Sequence, residues 1–143
     1  MQKAKILAVA WFLSLSVSPA GYAAEKSPDM PDGVHVKEVT TPGGPVEVLA
    51  DSDGMTLYTF DMDRDPGKSV CTGQCGVLWP ALMASEDAED QGPWTIVIRP
   101  DGERLWAYHG KPLYTFVRDK AVAHFNGNGL PQDNPVWHCA LPM

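Results

Sequence analysis

The chain has 143 residues, with 18 acidic against 11 basic side chains, a formal net charge of −7, and 13 residues each of glycine and proline. An acidic surface repels phosphate backbones and anionic lipid headgroups, which excludes nucleic acid as a partner. Glycine and proline at this density interrupt long helices and favour short strands joined by turns.

The first residues carry an address. Lys3 and Lys5 form a basic start, Ile6 to Val17 is apolar apart from Ser14 and Ser16, and small residues follow up to Ala24. That pattern predicts a signal peptide over residues 1–24, too short and wrongly flanked for a membrane anchor. No cysteine follows it before Cys71, so export without lipidation, to the periplasm or the medium, is expected, with no membrane span after cleavage. The segment removes two basic residues and no acidic one, leaving a more acidic chain of one ordinary domain.

Residues 25–45 read as an N-terminal lead and strand. Glu25 to Asp32 is polar with two prolines, Gly33 to Val39 alternates weakly as a strand does, and Thr41 to Pro45 is a turn. A double-repeat β domain is predicted over 46–143. Val46 to Ala50, the turn Asp51 to Gly54, and Met55 to Phe60 read as a hairpin. Cys75 to Met83 holds room for one helical turn stopped near Pro80, and the acidic stretch Ser85 to Gly92 reads as a solvated connector. Trp94 to Ile98, Leu105 to Tyr108, Leu113 to Phe116 and Val136 to Leu141 complete the expected strands.

An internal repeat organises this part. Gly54, Leu57, Tyr58, Thr59, Phe60 and Asp63 recur 56 residues later as Gly110, Leu113, Tyr114, Thr115, Phe116 and Asp119. Equal spacing at six identical positions predicts two related units, about 46–83 and 94–141. The expected fold is mostly β: one small domain of two tandem antiparallel repeats packed face to face, with little helix.

The pattern Leu-Tyr-x-Phe-x-x-Asp, then Gly-Lys-Ser-x-Cys-x-Gly-x-Cys, then Trp-Pro, resembles a family of bacterial secreted repeats, predicted lipoproteins with a Y-x-[FWY]-x-x-D motif. The likeness runs from Val46 to about Cys139. It implies an exported repeat protein and names no reaction.

Two uses of the motif can be weighed. Tyr58, Phe60, Tyr114 and Phe116 could present a ligand-stacking surface, with Asp63 and Asp119 at its rim. Alternatively the rings are core and the aspartates hold the following turns through backbone amides. Cys71 and Cys75 have one residue too many between them for a thioredoxin-like pair, and Gly73 lets the chain reverse, so a structural disulfide is expected. A Cys75–Cys139 bridge stays open, because sequence does not fix connectivity.

His138, Cys139 and Met143 offer imidazole, thiol and thioether, a set that suits copper, and His109 and His124 could complete it. In an extended strand His138 and Cys139 point to opposite faces, which opposes joint ligation. Asp61, Asp63 and Asp65 begin like a calcium loop, but Pro66 and Thr72 stand where an EF-hand needs glycine and glutamate. No hydrolase or phosphate-binding motif occurs. The reading is a non-catalytic exported protein without a cofactor, binding an envelope partner or small ligand. The alternative is a copper-binding or redox-active protein.

Overall fold

A computed structural model describes residues 29–143; the predicted signal peptide lies outside them. The chain is mostly β, as its composition implies. Strand β1 (His35–Thr41) turns at Pro42 and Gly43 into β2 (Gly44–Ala50), and the two pair in register from His35↔Ala50 to Thr41↔Gly44. The strand assigned to the N-terminal lead is therefore one arm of a hairpin whose other arm opens the first repeat. In the second half β4 (Trp94–Ile98) pairs with β5 (Arg104–Tyr108), which pairs with the short β6 (Lys111–Pro112).

The hairpin expected across Asp51 to Gly54 closes through one bridge, Ala50↔Thr56, and goes no further. The chain then leaves for the other repeat. Strand β3 (Tyr58–Phe60) pairs antiparallel with β7 (Trp137–Cys139), Tyr58 opposite Cys139 and Phe60 opposite Trp137. Reciprocally, the Thr115 N–H donates to Pro80 O at 2.8 Å and the Val117 N–H to Leu78 O at 3.1 Å. Each repeat's Tyr-x-Phe segment is thus paired with the end of the other repeat. At the centre Tyr58 and Tyr114 bridge each other, with N–H···O distances of 2.8 and 3.0 Å. An antiparallel bridge between two equivalent residues places a local two-fold axis between them. The repeats interlock through strand edges, which replaces the expected face-to-face packing.

The burial follows the same symmetry. One cluster gathers Leu49, Leu57, Trp94, Trp106, Leu113 and Ala140, drawn from both repeats. A second gathers Tyr58, Cys71, Trp79, Tyr114, Phe116 and Trp137 around the axis. Helix α1 (Gln74–Leu78) is a single turn between the disulfide and Trp79, with none of its residues buried. The expected connector, Ser85 to Gly92, is largely exposed, and the Arg104 guanidinium ties it down through Ala88 O at 2.7 Å.

Candidate functional site

The motif residues meet at the axis as a reciprocal pair of locks. The Tyr58 hydroxyl donates to Asp119 Oδ2 at 2.5 Å, and the Tyr114 hydroxyl donates to Asp63 Oδ2 at 2.6 Å. Each tyrosine thus reaches the aspartate of the other repeat. The second oxygen of each carboxylate stays at home: Asp63 Oδ1 accepts the Val70 N–H at 2.7 Å, and Asp119 Oδ1 accepts the Asn126 N–H at 2.9 Å. Both amides lie seven residues beyond their aspartate. The spacing Tyr-x-x-x-x-Asp is the distance needed to leave the strand, turn, and set a carboxylate beneath the partner's ring.

All four groups are buried or nearly so, with Tyr58 and Tyr114 at 0 %, Asp63 at 7 % and Asp119 at 5 % exposure. A carboxylate removed from water keeps a low cost only if its lone pairs find donors, and here they do. Burial pushes both phenols well above the usual tyrosine range, and the facing carboxylate adds to the shift in each. Ser69 and Arg99 pull Tyr114 partly back. Burial also raises the Asp63 carboxyl, opposed by the bonds from Tyr114 and Val70. Arg99 braces this lock from the β4–β5 turn: its guanidinium reaches Ser69 Oγ at 2.9 Å, Cys71 O at 2.9 Å and Glu103 at 2.7 Å.

The phenylalanines of the motif end a column of rings. Phe60 stacks on Trp137 at 4.2 Å, Trp137 on Trp79 at 3.7 Å, and Trp79 on Phe116 at 4.2 Å. Tyr58 and Tyr114 meet Trp79 and Trp137 edge-on at 5.4 and 5.2 Å. The two tryptophans hold equivalent places, 21 residues after Tyr58 and 23 after Tyr114. Sequence reasoning passed over Trp137 because its repeat is two residues longer; extending the alignment past the motif would have paired it with Trp79.

Cys71 and Cys75 are joined, their Cα atoms 5.1 Å apart, with Gly73 at φ 58° making the reversal between them. Cys139 is a free, half-buried thiol, so the open alternative bridge to Cys75 is not made. His138 Nε2 lies 2.9 Å from Asp61 Oδ2. His138 and Cys139 line one cavity of about 280 Å³, walled by Val39, Val46, Val48 and Phe125, although a regular strand would part them. Met143 is apart from them, 83 % exposed, its main chain bonded to the Tyr108 hydroxyl. His109 packs on Tyr108, and His124 accepts the Lys120 N–H. Among the described residues no three His, Cys, Asp or Glu side chains converge to hold a metal ion.

A second cavity, about 220 Å³ and open to solvent, lies beside the ring column, its lining including Leu78, Trp79, Phe116, Arg118, Leu130 and Trp137. No helix among the described residues is long and apolar enough to cross a membrane. Comparison with known proteins returned no matching curated protein and no matching solved structure. The sequence profile of a family described as a secreted repeat of unknown function matches twice, over residues 39–83 and 95–140. These two matches frame the two interlocked halves and cover most of the chain, which therefore belongs to that family of secreted repeats.

Proposed function

We propose that this is an exported, non-catalytic binding protein in which the repeated motif supplies a rigid frame and recognition belongs to the surface around it. The reciprocal lock supports this reading. A general acid or base must come within about 3 Å of a substrate proton. The carboxylates of Asp63 and Asp119 are occupied instead by tyrosine hydroxyls and backbone amides. A ring at 0 % exposure likewise offers no face to a ligand, so Tyr58 and Tyr114 act as frame. Thermal-shift and NMR screening of the full exported chain against metabolites and envelope polymers tests the reading. A saturable rise in Tm without turnover is the expected result; turnover of a screened compound, or no ligand at all, would overturn it.

Export itself rests on Lys3 to Ala24 and on the secreted family. The intact mass of the periplasmic or secreted protein should begin near Glu25 and carry no lipid. The copper-binding or redox-active alternative rests on His138 and Cys139 sharing one cavity. Titration with Cu(I) decides it: a stoichiometric complex lost on replacing either residue would favour copper over a purely organic ligand.

A further inference from the structure

We infer that the groove beside the ring column is a binding site for a small planar organic carboxylate, seated against the tryptophan edges with its charge on Arg118. The inference rests on the binding-protein reading and says where and what that protein binds.

The floor of the groove is fixed before any ligand arrives. Trp79 lies between Phe116 and Trp137, and Trp137 between Trp79 and Phe60, with interplanar angles of 20°, 4° and 12°. Both faces of both indoles are therefore covered, and what they present to the groove is their edges. Aromatic edges carry the positive side of the ring quadrupole, so they attract the π-face of a flat ligand or an anionic group. Leu78 and Leu130 form apolar walls. A volume of about 220 Å³ suits a ligand of about one ring.

The rim carries the charge. Arg118 is exposed, and no carboxylate of the described residues pairs with its side chain. Asp119, its neighbour in sequence, is already engaged by Tyr58 and Asn126. Lys120, two residues on, does not line the groove, its Nζ being held on Val117 O at 2.6 Å, so the charge is that of Arg118. A cationic rim stands out on a chain of net charge −7. A guanidinium presents a planar fork that matches a carboxylate through two parallel hydrogen bonds.

The other repeat supplies an internal control. The position equivalent to Arg118 is Met62, 44 % exposed, and the loop that faces it carries the Cys71–Cys75 bridge where the second repeat has Leu130 and Pro131. The same interlocked frame thus forms with a thioether at this place. It forms without a cation at this position, although Arg64 Nη2 lies 3.9 Å from the Met62 sulfur. The halves differ in the residue at the Arg118 place and in the loop that follows.

The test uses the full mature chain, benzoate as probe and benzamide as its neutral counterpart, read by tryptophan fluorescence and by the indole N–H signals of Trp79 and Trp137. The expected result is saturable benzoate binding that shifts both indoles, with benzamide at least tenfold weaker. Arg118→Met, which installs the residue of the other repeat, should weaken benzoate about tenfold, leave benzamide unchanged and keep the wild-type Tm; about 1.4 kcal/mol corresponds to that factor. Equal affinity for the two probes, benzoate binding indifferent to Arg118→Met, or no saturable shift of either indole would each overturn the site. Ligands that bind while shifting only residues near His138 and Cys139 would sink the groove and leave the binding reading standing. Absence of any ligand in the broader screen would remove both.

Discussion

The two repeats close their locks with the same side chains and the same main-chain bonds, yet line the following loops with different material. After Asp63 the chain places Cys71 eight residues on, buried against the rings and tied to Cys75. After Asp119 the equivalent place is Gly127, with no covalent tie, and its N–H turns to the Tyr58 hydroxyl at 3.3 Å. Arg99 braces the first lock through Ser69 and Cys71 O. The comparison separates two jobs. The motif encodes a symmetric frame that neither half can complete alone, while each loop needs only to return an amide to its own aspartate. Residues in the loops are thereby free to diverge.

The largest expected effect comes from breaking the frame. Tyr58→Ala and Tyr114→Ala should each cost about 3–5 kcal/mol in chemical denaturation, the range for a buried aromatic. Because each tyrosine serves the other repeat's aspartate, either change also leaves a buried carboxylate short of a donor. Conservative Tyr→Phe changes isolate that part, at about 1–3 kcal/mol. Losses under about 1 kcal/mol at both alanine variants would mean that the rings are not the frame.

Gly127 sharpens the comparison next. A Cβ there would lie 2.6 and 2.8 Å from Trp79 Cη2 and Cζ3 and 3.0 Å from Tyr58 Cε1. Trp79 is clamped on both faces and cannot yield, so Gly127→Ala should cost about 3 kcal/mol, the upper end for overpacking. Gly129→Ala, with open space around its Cβ, separates this clash from backbone strain, since it has a positive φ and nothing within 4 Å. If Gly127→Ala proves the milder of the two, the second loop accommodates bulk at this place as the first does.

How much of this was legible beforehand follows from what each signal depends on. Trp94 to Ile98 pairs with β5, its neighbour in the chain, and it is a strand over those same residues. The repeat, the mostly β fold and the reversal at Gly73 were equally local. The partner of β3 was not. Met55 to Phe60 has the pattern of a hairpin arm, and nothing in its own residues tells it to pair with Trp137 to Cys139 instead of with β2. The choice is made by the edge-to-edge meeting of Tyr58 and Tyr114, a long-range contact between identical motifs. For the same reason the aspartates looked like turn residues: their second bond belongs to a tyrosine more than fifty residues away.

The disulfide is the next difference in size. For so short a loop the chain-entropy estimate is roughly 2 kcal/mol. Replacing Cys71 and Cys75 together with Ala should lower stability by about that amount while the Tyr114–Asp63 lock, braced by Arg99, stays formed. The indole and tyrosine proton signals of the variant report on this directly. A loss as large as that of Tyr114→Ala would show that the bridge, and not the lock, holds the first loop.

The smallest effect distinguishes the ends of the two repeats. Cys139 pairs with Tyr58 where Ala81 bridges Tyr114 in the other half. Burial first, and then the negative charge of Asp119, push its thiol up to about 12, with Lys37 pulling it back. A group whose folded pKa is raised contributes stability that is fully present below its unfolded value, near 8.5, and lost as pH climbs through the folded one. The stability of wild type relative to Cys139→Ala should therefore be constant up to about pH 8 and fall steadily from there toward pH 12, until the variant is the more stable of the two. Only the thiolate is nucleophilic, so at pH 8 iodoacetamide should modify the native chain at least tenfold more slowly than the unfolded one. Cys139→Ala installs the residue of the first repeat, and its Tm at neutral pH should stay within a few degrees of wild type. Rapid alkylation of the native chain would place the thiol at the surface and make the two strand ends equivalent in packing after all.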